Sequence, residues 1–333
     1  MKVLADNINR YENEQKRLKY KTLLEAKWGE AYRRYRSNWD EARQLVLKTD
    51  FPMHIDMDTV DACNLHCLYC SEEHGYIRKR TLKKIPGSIV DALFREAARP
   101  AGKDRLCAVN IGTLGEPLLY PEMVFKILEG CNKAGVMETF LHTNGHLLTV
   151  DIFKKMAGMG LTHLFFSVDA IRPDTYKRVR GGDLSVATKN ILDVVEYKKA
   201  TDSTFPVIRV SFLENKYTSP EKNEFVEFWK DKVDFIDIQG TVDFTVQLSE
   251  TDKIRSSCIL PFQRITIGVQ GEIGPCCAGY IMVPGFYLGI IPDMSVYEAW
   301  NSERANALRA AHKDMSLEYF PMCWECLARR SWD

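Results

Sequence analysis

Three cysteines lie close together near residue 65, at a spacing that is typical of a metal or cluster site. In the segment DACNLHCLYCSEEHG, Cys63, Cys67 and Cys70 follow a C-x3-C-x2-C pattern, and no fourth cysteine follows nearby. A closed structural metal site needs four ligands. If these three thiolates hold a four-iron cluster, one iron has no protein ligand and can bind a small molecule through an amine and a carboxylate. Zinc held by the three cysteines with His66 or His74 is the alternative.

A second set of four cysteines lies near the end of the sequence. Cys258 and Cys276 flank a predicted β-hairpin that turns at Gln270-Gly271, and Cys323 and Cys326 form a C-x2-C pair after a helix that is predicted for residues 295–312. Four thiolates on separated elements make a closed site, which would stabilise a region too small to build much core. The spacing alone is compatible with zinc and with an iron–sulfur cluster.

Three further cysteines belong to neither set. The apolar pattern around Cys107 is typical of a strand residue that packs against helices. The pattern around Cys131 is typical of a residue in the hydrophobic core. Cys277 directly follows Cys276, so it could pack beside that cysteine or exchange with it as a metal ligand.

Strands and helices that alternate along the chain would position the first cysteine set. Six short apolar runs predict strands, and the repeated strand–helix order predicts a parallel sheet with helices outside it. Six units in about 190 residues, against about 250 for a complete eight-unit barrel, predict an α/β fold with a partial (β/α)6 TIM-like barrel. In such sheets the chemistry lies at the carboxyl ends of the strands, and the first cysteine set follows the first strand. The predicted strands are 54–60, 106–112, 138–144, 164–170, 206–212 and 233–239, and the predicted helices lie near 87–98, 121–133, 149–158, 185–199 and 219–230.

Two smaller parts flank the predicted barrel. We expect residues 1–50 to form a helical extension, residues 51–245 the barrel, and residues 246–333 a small cysteine-rich domain. Apolar residues of the extension recur every three or four positions, which predicts an amphipathic helix packed on the barrel. This stripe consists of Leu24, Trp28, Tyr32, Tyr35, Trp39 and Ala42, and the expected inward positions of the last domain are Val296, Trp300 and Leu308.

The overall charge and hydropathy argue against several classes of function. The 333 residues include 45 Lys and Arg and 45 Asp and Glu, so no global field attracts the chain to nucleic acid or to an anionic membrane. No run of eighteen apolar residues and no signal-peptide core are present, so a cytoplasmic protein is expected. Ten cysteines in a reducing compartment more often hold metal than form disulfides. The locally basic stretch from Tyr76 to Lys84 is either a solvated loop or a docking face for an acidic partner.

Several segments, in order along the chain, together resemble the radical S-adenosylmethionine superfamily. CNLHCLYC resembles its cysteine signature, GTLGEPLLYPE its GGEP segment, HTNGHLLT its third-strand turn, and FSVDAIRPDTYKRVRGG the fourth-strand segment that reaches the ribose of the cofactor. The resemblance spans residues 54–333. The pattern Cys258-x12-Gly271-x4-Cys276, followed by Cys323-x2-Cys326, resembles the SPASM/twitch type of auxiliary-cluster domain. It has fewer cysteines than a full SPASM domain, so the shorter twitch form with one cluster is expected.

The resemblance assigns roles to the cysteines and to residues around them. It implies that Cys63, Cys67 and Cys70 hold a catalytic 4Fe-4S cluster that binds S-adenosylmethionine, and that the second cysteine set holds an auxiliary 4Fe-4S cluster. Gly115 and Glu116, in the GEP sequence, are expected to contact the methionine ammonium group through charge-assisted hydrogen bonds. Leu114 stands where the family usually has a glycine, so the backbone there is expected to follow a slightly different path.

Other candidate cofactor contacts come from the third-strand and fourth-strand segments and from the cysteine loop. Tyr69 is expected to touch the adenine, with packing on the barrel rim as the alternative. Ser167 and Asp169 lie two apart on one strand and suit the ribose hydroxyls, although Asp169 could instead cap the following helix. Asn144 is a further candidate contact to the cofactor, although its role could be limited to the Asn-Gly turn. Arg180 is a candidate partner of the methionine carboxylate, although it could instead be a charge on the surface.

The resemblance also implies a reaction. A reduced cluster cleaves S-adenosylmethionine to a 5′-deoxyadenosyl radical, which removes a hydrogen atom from a substrate carbon. An auxiliary cluster with four cysteine ligands can accept an electron, as in a radical S-adenosylmethionine dehydrogenase with a similar domain. Oxidation of a polar small molecule is therefore the favoured function, with a sugar, cyclitol or nucleotide-linked sugar as substrate and flavodoxin or ferredoxin as electron donor. The alternatives are an epimerase with Cys277 as hydrogen donor, a peptide-modifying enzyme, and a binding protein that zinc stabilises and that is not an enzyme.

Overall fold

A computed structural model of the chain describes residues 2–4, 8–12, 14–47, 49–70, 82–99, 104–240, 256–277 and 286–328. Strands and helices alternate through its central part, as the sequence predicts. The strands are β1 (Lys2–Leu4), β2 (Ile8–Glu12), β3 (His54–Met57), β4 (Ala108–Ile111), β5 (Glu138–Thr143), β6 (His163–Ser167), β7 (Val207–Glu214), β8 (Phe235–Gly240), β9 (Ser256–Cys258), β10 (Arg264–Ile267), β11 (Glu272–Gly274) and β12 (Gly289–Ile290). The helices are α1 (Glu14–Trp28), α2 (Glu30–Ala42), α3 (Gly87–Ala97), α4 (Pro121–Ala134), α5 (Val150–Gly158), α6 (Pro173–Arg180), α7 (Leu184–Ala200), α8 (Lys222–Trp229), α9 (Val296–Asn301), α10 (Glu303–Asp314) and α11 (Pro321–Ala328).

One large sheet forms the centre of the molecule. Its strand order is β12-β11-β10-β3-β4-β5-β6-β7-β8-β2, and β3 to β8 pair in parallel in the order of the sequence. The sheet does not close, because β3 pairs on its other side with β10 and β8 pairs with β2. The predicted partial (β/α)6 barrel is therefore confirmed, with each of its six strands present.

The two faces of the barrel strands have different surroundings. Ile55 and Met57 on β3 are fully buried in the apolar cluster that also contains residues of the outer helices α3 and α4. His54 and Asp56 alternate with them and face the interior of the barrel, as the two-residue period of a strand requires. There the Asp56 carboxylate accepts a hydrogen bond of 2.9 Å from the Asn110 amide. The interior of the barrel is therefore partly polar.

The N-terminal extension packs on the barrel, as its apolar stripe predicts. The buried residues of the stripe join a cluster with barrel residues such as Met53 and Ala108. The stripe lies on two helices, α1 and α2, because the chain turns at Gly29, which has a φ of +56°. The extension also contains two strands that the sequence analysis did not predict: β1 pairs with β9, and β2 pairs with β8.

The C-terminal part extends the barrel sheet. β10 and β11 form the predicted antiparallel hairpin, which turns at Gln270-Gly271, and β10 pairs in parallel with β3. The helix predicted near residues 295–312 is two helices, because Ser302 is extended and its side chain caps α10 by accepting from the backbone N of Ala305. The expected inward residues Val296, Trp300 and Leu308 are buried.

Two sequence predictions concern the surface and the surroundings of the protein. The basic stretch from Tyr76 to Lys84 lies outside the described residues, apart from residues 82–84. Among the helices that the structure describes, none is long and apolar enough to cross a membrane.

Candidate functional site

A cavity of about 340 Å³ lies at the carboxyl ends of the barrel strands, where a parallel barrel places its chemistry. Its wall is formed by the segment after β3 and by the ends of β4 to β7. The structure brings together at this cavity all the residues that the sequence analysis assigned to the first cluster or to the cofactor. These residues are Cys63, Cys67, Tyr69, Cys70, Gly115, Glu116, Asn144, Ser167, Asp169 and Arg180.

Hydrogen bonds from distant segments fix the loop that carries the first three cysteines. The backbone N of Leu68 donates to the carbonyl O of Val179, at the end of α6, over 2.9 Å. The Asn144 amide Nδ2, at the end of β5, lies 2.8 Å from Asn64 Oδ1 and 3.7 Å from Cys63 Sγ. Asn144 therefore orients the cysteine loop in addition to its place in the Asn-Gly turn.

The segment around Gly115 packs directly against this loop. Gly115 has a φ of +67°, and a methyl group on its Cα would lie 2.2 Å from the carbonyl O of Val60. The next residue, Glu116, donates its backbone N–H to the carbonyl O of Ala62 over 2.8 Å. Only glycine allows this close approach, because any larger side chain would push the two segments apart.

Glu116 is a buried carboxylate with one acceptor site to spare. It is 1% exposed and accepts hydrogen bonds from Thr143 Oγ1 (2.7 Å), the backbone N of Asn144 (2.8 Å) and the backbone N of Leu118 (3.0 Å). Burial raises the pKa of Glu116 above its ordinary value, although these donors act in the opposite direction. A carboxylate has about four acceptor sites, so Glu116 can accept one more donor from the cavity.

Asp169 and Arg180 form an ion pair on the cavity wall. Arg180 Nη1 donates to Asp169 Oδ2 over 3.1 Å, and the backbone N of Leu213 donates to Asp169 Oδ1 over 2.9 Å. Burial lowers the pKa of Arg180, but the Asp169 carboxylate and smaller contributions from Cys67, Tyr176 and Cys63 together outweigh burial and hold this pKa above its ordinary value. Arg180 is therefore not a surface charge, since its side chain is 14% exposed. Asp169 does not cap α6, whose N-cap residue is Arg172.

The Ser167 hydroxyl and the His142 ring are two of the side chains on the described cavity wall that remain available to a ligand. Neither makes a hydrogen bond within the described part of the chain, and both line the cavity. His142 packs edge-to-face on Phe165, with the ring centres 4.8 Å apart. Burial, assisted by the positive charge of Arg209, lowers the pKa of His142 to about 3, so its imidazole is neutral at pH 7. The sequence analysis missed His142; the available signal was a polar residue at an inward position of a strand end.

The second cysteine set lines a much smaller cavity of about 20 Å³. Cys323 and Cys326 lie three apart on α11 and therefore on one face of the helix. Cys277 lines neither this cavity nor the larger one as the structure describes them, whereas Cys276 faces the smaller cavity. The wall consists of Cys258, Cys276, Cys323 and Cys326 with Leu260, Pro261, Leu308, His312, Met322 and Leu327.

The donor sets of the two cavities fit iron–sulfur clusters. Four cysteines line the smaller cavity, which is the ligand set of a 4Fe-4S cluster, and three line the larger one, which would leave one iron of such a cluster open. Among the described residues, no group of three or more His, Cys, Asp or Glu side chains is arranged to hold a single metal ion.

Comparison with known proteins gives matches along most of the chain. The family model of the Radical SAM superfamily matches residues 57–209, and that of an iron–sulfur cluster-binding domain, SPASM, matches residues 258–327. A GTP 3′,8-cyclase from Alkaliphilus metalliredigens is 31% identical over 43% of this chain, and the match spans only 43% of the cyclase. A tungsten-containing aldehyde ferredoxin oxidoreductase cofactor-modifying protein from Pyrococcus furiosus is 22% identical over 84% of this chain and 88% of its own length. The solved structure of native anSMEcpe with bound AdoMet has the same fold, with a TM-score of 0.60 at 16% identity over 82% of this chain and 88% of that one.

Proposed function

Because the chain belongs to the radical S-adenosylmethionine superfamily and carries a SPASM iron–sulfur domain, we propose that it oxidises an alcohol carbon of a polar small molecule. Enzymes with these two domains use S-adenosylmethionine and 4Fe-4S clusters. A sugar, cyclitol or nucleotide-linked sugar is the proposed substrate class, and flavodoxin or ferredoxin is the proposed electron donor. The observation that carries the choice of oxidation is the small, apolar cavity of the second cysteine set, because four cysteine ligands leave a cluster there without an open iron for a substrate.

One end of the large cavity suits S-adenosylmethionine. Cys63, Cys67 and Cys70 would hold the first cluster, and the spare acceptor site of Glu116 would take the methionine ammonium group. Arg180 offers a cation for the methionine carboxylate. The remaining proposed contacts are Gly115 and Asn144 around the methionine, Ser167 and Asp169 for the ribose and Tyr69 for the adenine.

The rest of the cavity suits a hydroxylated substrate. When bound, the first cluster and S-adenosylmethionine supply the radical that removes the carbon-bound hydrogen as an atom, and the auxiliary cluster takes up the one electron that remains. The hydroxyl proton of the substrate must also leave for a ketone to form. His142 is placed to accept it, because its neutral imidazole lines the cavity and has no hydrogen-bond partner in the described part of the chain.

Epimerisation has less support from the placement of its proposed hydrogen donor. That reaction requires a thiol that reaches the substrate from the face opposite to the radical. Cys277 does not line the large cavity among the residues described, and the cysteines that do are those of the first set. An epimerase would therefore need a rearrangement that brings Cys277 to the cavity.

Mass spectrometry in deuterium oxide tests the proposed reaction. Anaerobically reconstituted protein is incubated with a panel of sugars, cyclitols and nucleotide-linked sugars, and 5′-deoxyadenosine is counted against product. Oxidation predicts one 5′-deoxyadenosine per product and a product two mass units lighter than the substrate. A product one unit heavier, whose deuterium is lost in Cys277→Ala, would overturn oxidation in favour of epimerisation.

The role of His142 is tested in the same assay. His142→Phe removes the proton acceptor but keeps a ring against Phe165, so we expect 5′-deoxyadenosine to form with at least tenfold less product for each cleavage. His142→Gln, which keeps a neutral acceptor, should lose less. An unchanged ratio of product to 5′-deoxyadenosine in His142→Phe would exclude His142 as the proton acceptor.

A further inference from the structure

His312 is the one polar side chain other than cysteine on the described wall of the small cavity. It lies on α10 and is fully buried. The backbone N–H of Cys258 donates to His312 Nδ1 over 3.4 Å. Because a backbone N–H can only donate, Nδ1 is the acceptor nitrogen of a neutral ring, and the ring hydrogen is on Nε2. The Ser257 hydroxyl donates to the His312 carbonyl O over 2.5 Å, which also holds this part of α10 against β9.

The Nε2–H group of His312 has no acceptor in the described part of the protein. Its nitrogen is buried without a hydrogen-bond partner. A buried donor left in this way costs about 1 to 3 kcal/mol, so such groups usually face a ligand, an ion or water. The apolar residues around it on the wall, among them Leu308 and Met322, offer no oxygen acceptor from their side chains. The acceptors that the cavity does present are cysteine sulfurs, together with the sulfides of any cluster bound to them.

We propose that His312 donates a hydrogen bond from Nε2 to a sulfur of the auxiliary cluster and thereby raises the reduction potential of that cluster. The inference rests on the proposed function only in placing a cluster between Cys258, Cys276, Cys323 and Cys326. Reduction adds one negative charge to the cluster, so a hydrogen-bond donor stabilises the reduced form more than the oxidised form. A higher potential makes the cluster a better acceptor for an electron from a substrate radical.

Neighbouring polar groups do not offer the same contact. Arg309 lies one turn earlier on α10, but its guanidinium donates to the carbonyl O of Pro261 over 2.9 Å and to Asn306 Oδ1 over 3.0 Å. Arg309 also lies over the ring of Trp300 and does not line the cavity as described. Among the side chains that the structure describes at this cavity, His312 is therefore the one that can donate a hydrogen bond to the cluster.

A potentiometric titration followed by electron paramagnetic resonance tests the inference. The full chain with Cys63, Cys67 and Cys70 changed to alanine isolates the auxiliary cluster, and three substitutions separate the two nitrogens of His312. His312→Gln keeps a donor near the Nε2 position, His312→Asn keeps only an acceptor near Nδ1 for the N–H of Cys258, and His312→Leu keeps neither. Lys313→Gln is the matched control, because Lys313 is the next residue on the helix, is exposed and does not line the cavity.

We expect His312→Leu and His312→Asn to lower the midpoint potential, and His312→Gln and Lys313→Gln to leave it close to that of the parent. A tenfold loss of preference for the reduced form corresponds to about 59 mV for a one-electron couple. Equal potentials in all variants would overturn the inference. Loss of the cluster iron from both His312→Leu and His312→Gln would also overturn it, because His312 would then be a ligand.

A second measurement does not depend on any His312 substitution. Pulsed electron paramagnetic resonance of the reduced auxiliary cluster, before and after exchange into deuterium oxide, should detect one strongly coupled exchangeable proton. Absence of that proton would overturn the hydrogen bond even if the variants fail to fold. Absence of any cluster in the triple-alanine chain would overturn both this inference and the proposed function. A shifted potential in an enzyme that does not oxidise alcohols would overturn only the proposed function.

Discussion

The protein has two cysteine-lined cavities that differ in size and in the polarity of their walls. The cavity at the strand ends measures about 340 Å³ and is lined by carboxylates, amides, hydroxyls and a guanidinium, whereas the C-terminal cavity measures about 20 Å³ and is lined mainly by aliphatic side chains. Three cysteines face the large cavity and four face the small one. Cysteine therefore lines one site that has room for a small molecule to bind and a second, smaller site whose wall is almost entirely apolar apart from the cysteines.

The way each cysteine set is attached to the fold explains this difference. Cys63, Cys67 and Cys70 lie on one loop after β3, and hydrogen bonds from the strand ends hold that loop over the open end of the barrel. Cys323 lies on α11 in an apolar cluster with Leu308, Leu317 and Leu327, and Cys258 packs against this cluster. A loop at a strand end leaves space beside it, while four ligands on packed elements surround their cluster.

Removing each cysteine set in turn tests the comparison and has the largest expected effect. With Cys63, Cys67 and Cys70 changed to alanine, we expect 5′-deoxyadenosine formation to be abolished and reconstituted iron to fall from about eight to about four per chain. With Cys323 and Cys326 changed to alanine, iron should fall similarly, but cleavage of S-adenosylmethionine should continue without product. An iron assay measures the bound iron of each variant, and chromatography measures the 5′-deoxyadenosine that each variant forms. Two results would contradict the different roles of the two cysteine sets. One is cleavage of S-adenosylmethionine that survives in the first variant, and the other is cleavage that disappears in both variants although both are folded.

Gly115→Ala should close part of the large cavity by disturbing its wall. The added methyl group would lie 2.2 Å from the carbonyl O of Val60, and the φ of +67° is unfavourable for alanine. We expect the free energy of unfolding to fall by about 1 to 3 kcal/mol and the affinity for S-adenosylmethionine to fall at least tenfold. Denaturant titration and anaerobic calorimetry measure these effects.

Gly158→Ala is the matched control for that change. A methyl group on Gly158 has no neighbouring atom within 4 Å, and Gly158 is the last residue of α5. Alanine is the better helix former, so stability should stay the same or rise by less than about 1 kcal/mol. If the two alanine variants behave alike, the close packing of Gly115 on the cysteine loop does not matter for the cavity.

Glu116→Gln should weaken cofactor binding with little effect on the cluster. The three partners of Glu116 are all donors, so a glutamine must turn its own NH2 toward a donor or toward the cavity. Loss of a hydrogen bond to a charged group costs about 1.5 to 3 kcal/mol, which predicts 10-fold to 100-fold weaker binding of S-adenosylmethionine. Anaerobic calorimetry measures this affinity. The control is Glu122→Gln, an exposed residue paired with Lys84 over 3.3 Å, which should change the affinity less than about twofold.

The barrel strands and the cavity residues could be predicted from the sequence for two different reasons. Short apolar runs mark β3 to β8. Residues such as Glu116 and Asp169 lie in motifs that resemble the radical S-adenosylmethionine superfamily, and these motifs follow strand ends, which meet at one edge of a parallel sheet. The structure accordingly places every predicted cofactor residue at one cavity. Their separate roles remain proposals.

The features that the sequence analysis missed depend on contacts between distant parts of the chain. His312 reaches Cys258, 54 residues earlier, through the packing of α10 on β9. β1 and β2 carry weak local signals and gain their partners from β9 and β8, more than 200 residues later. His142 lies in a recognisable turn segment, but only the inward direction of its side chain in β5 shows that it faces the cavity. Such contacts leave no fixed spacing in the sequence.

The neutral state of His142 predicts a smaller effect, on the pH dependence of stability. Its pKa in the folded protein is lowered to about 3, mainly by burial, from an ordinary value of 6.5. Between these values the unfolded chain binds a proton that the folded protein does not, so the contribution of His142 is complete above pH 6.5 and is lost as the pH falls toward 3. The loss is at most about 1.4 kcal/mol per pH unit. In iron-free protein titrated with urea from pH 6.5 to 4.5, wild type should therefore lose stability more steeply than His142→Gln. Equal slopes would mean that His142 is hydrated in the cavity and keeps a pKa close to its ordinary value there, which would contradict the effect of burial on this ring.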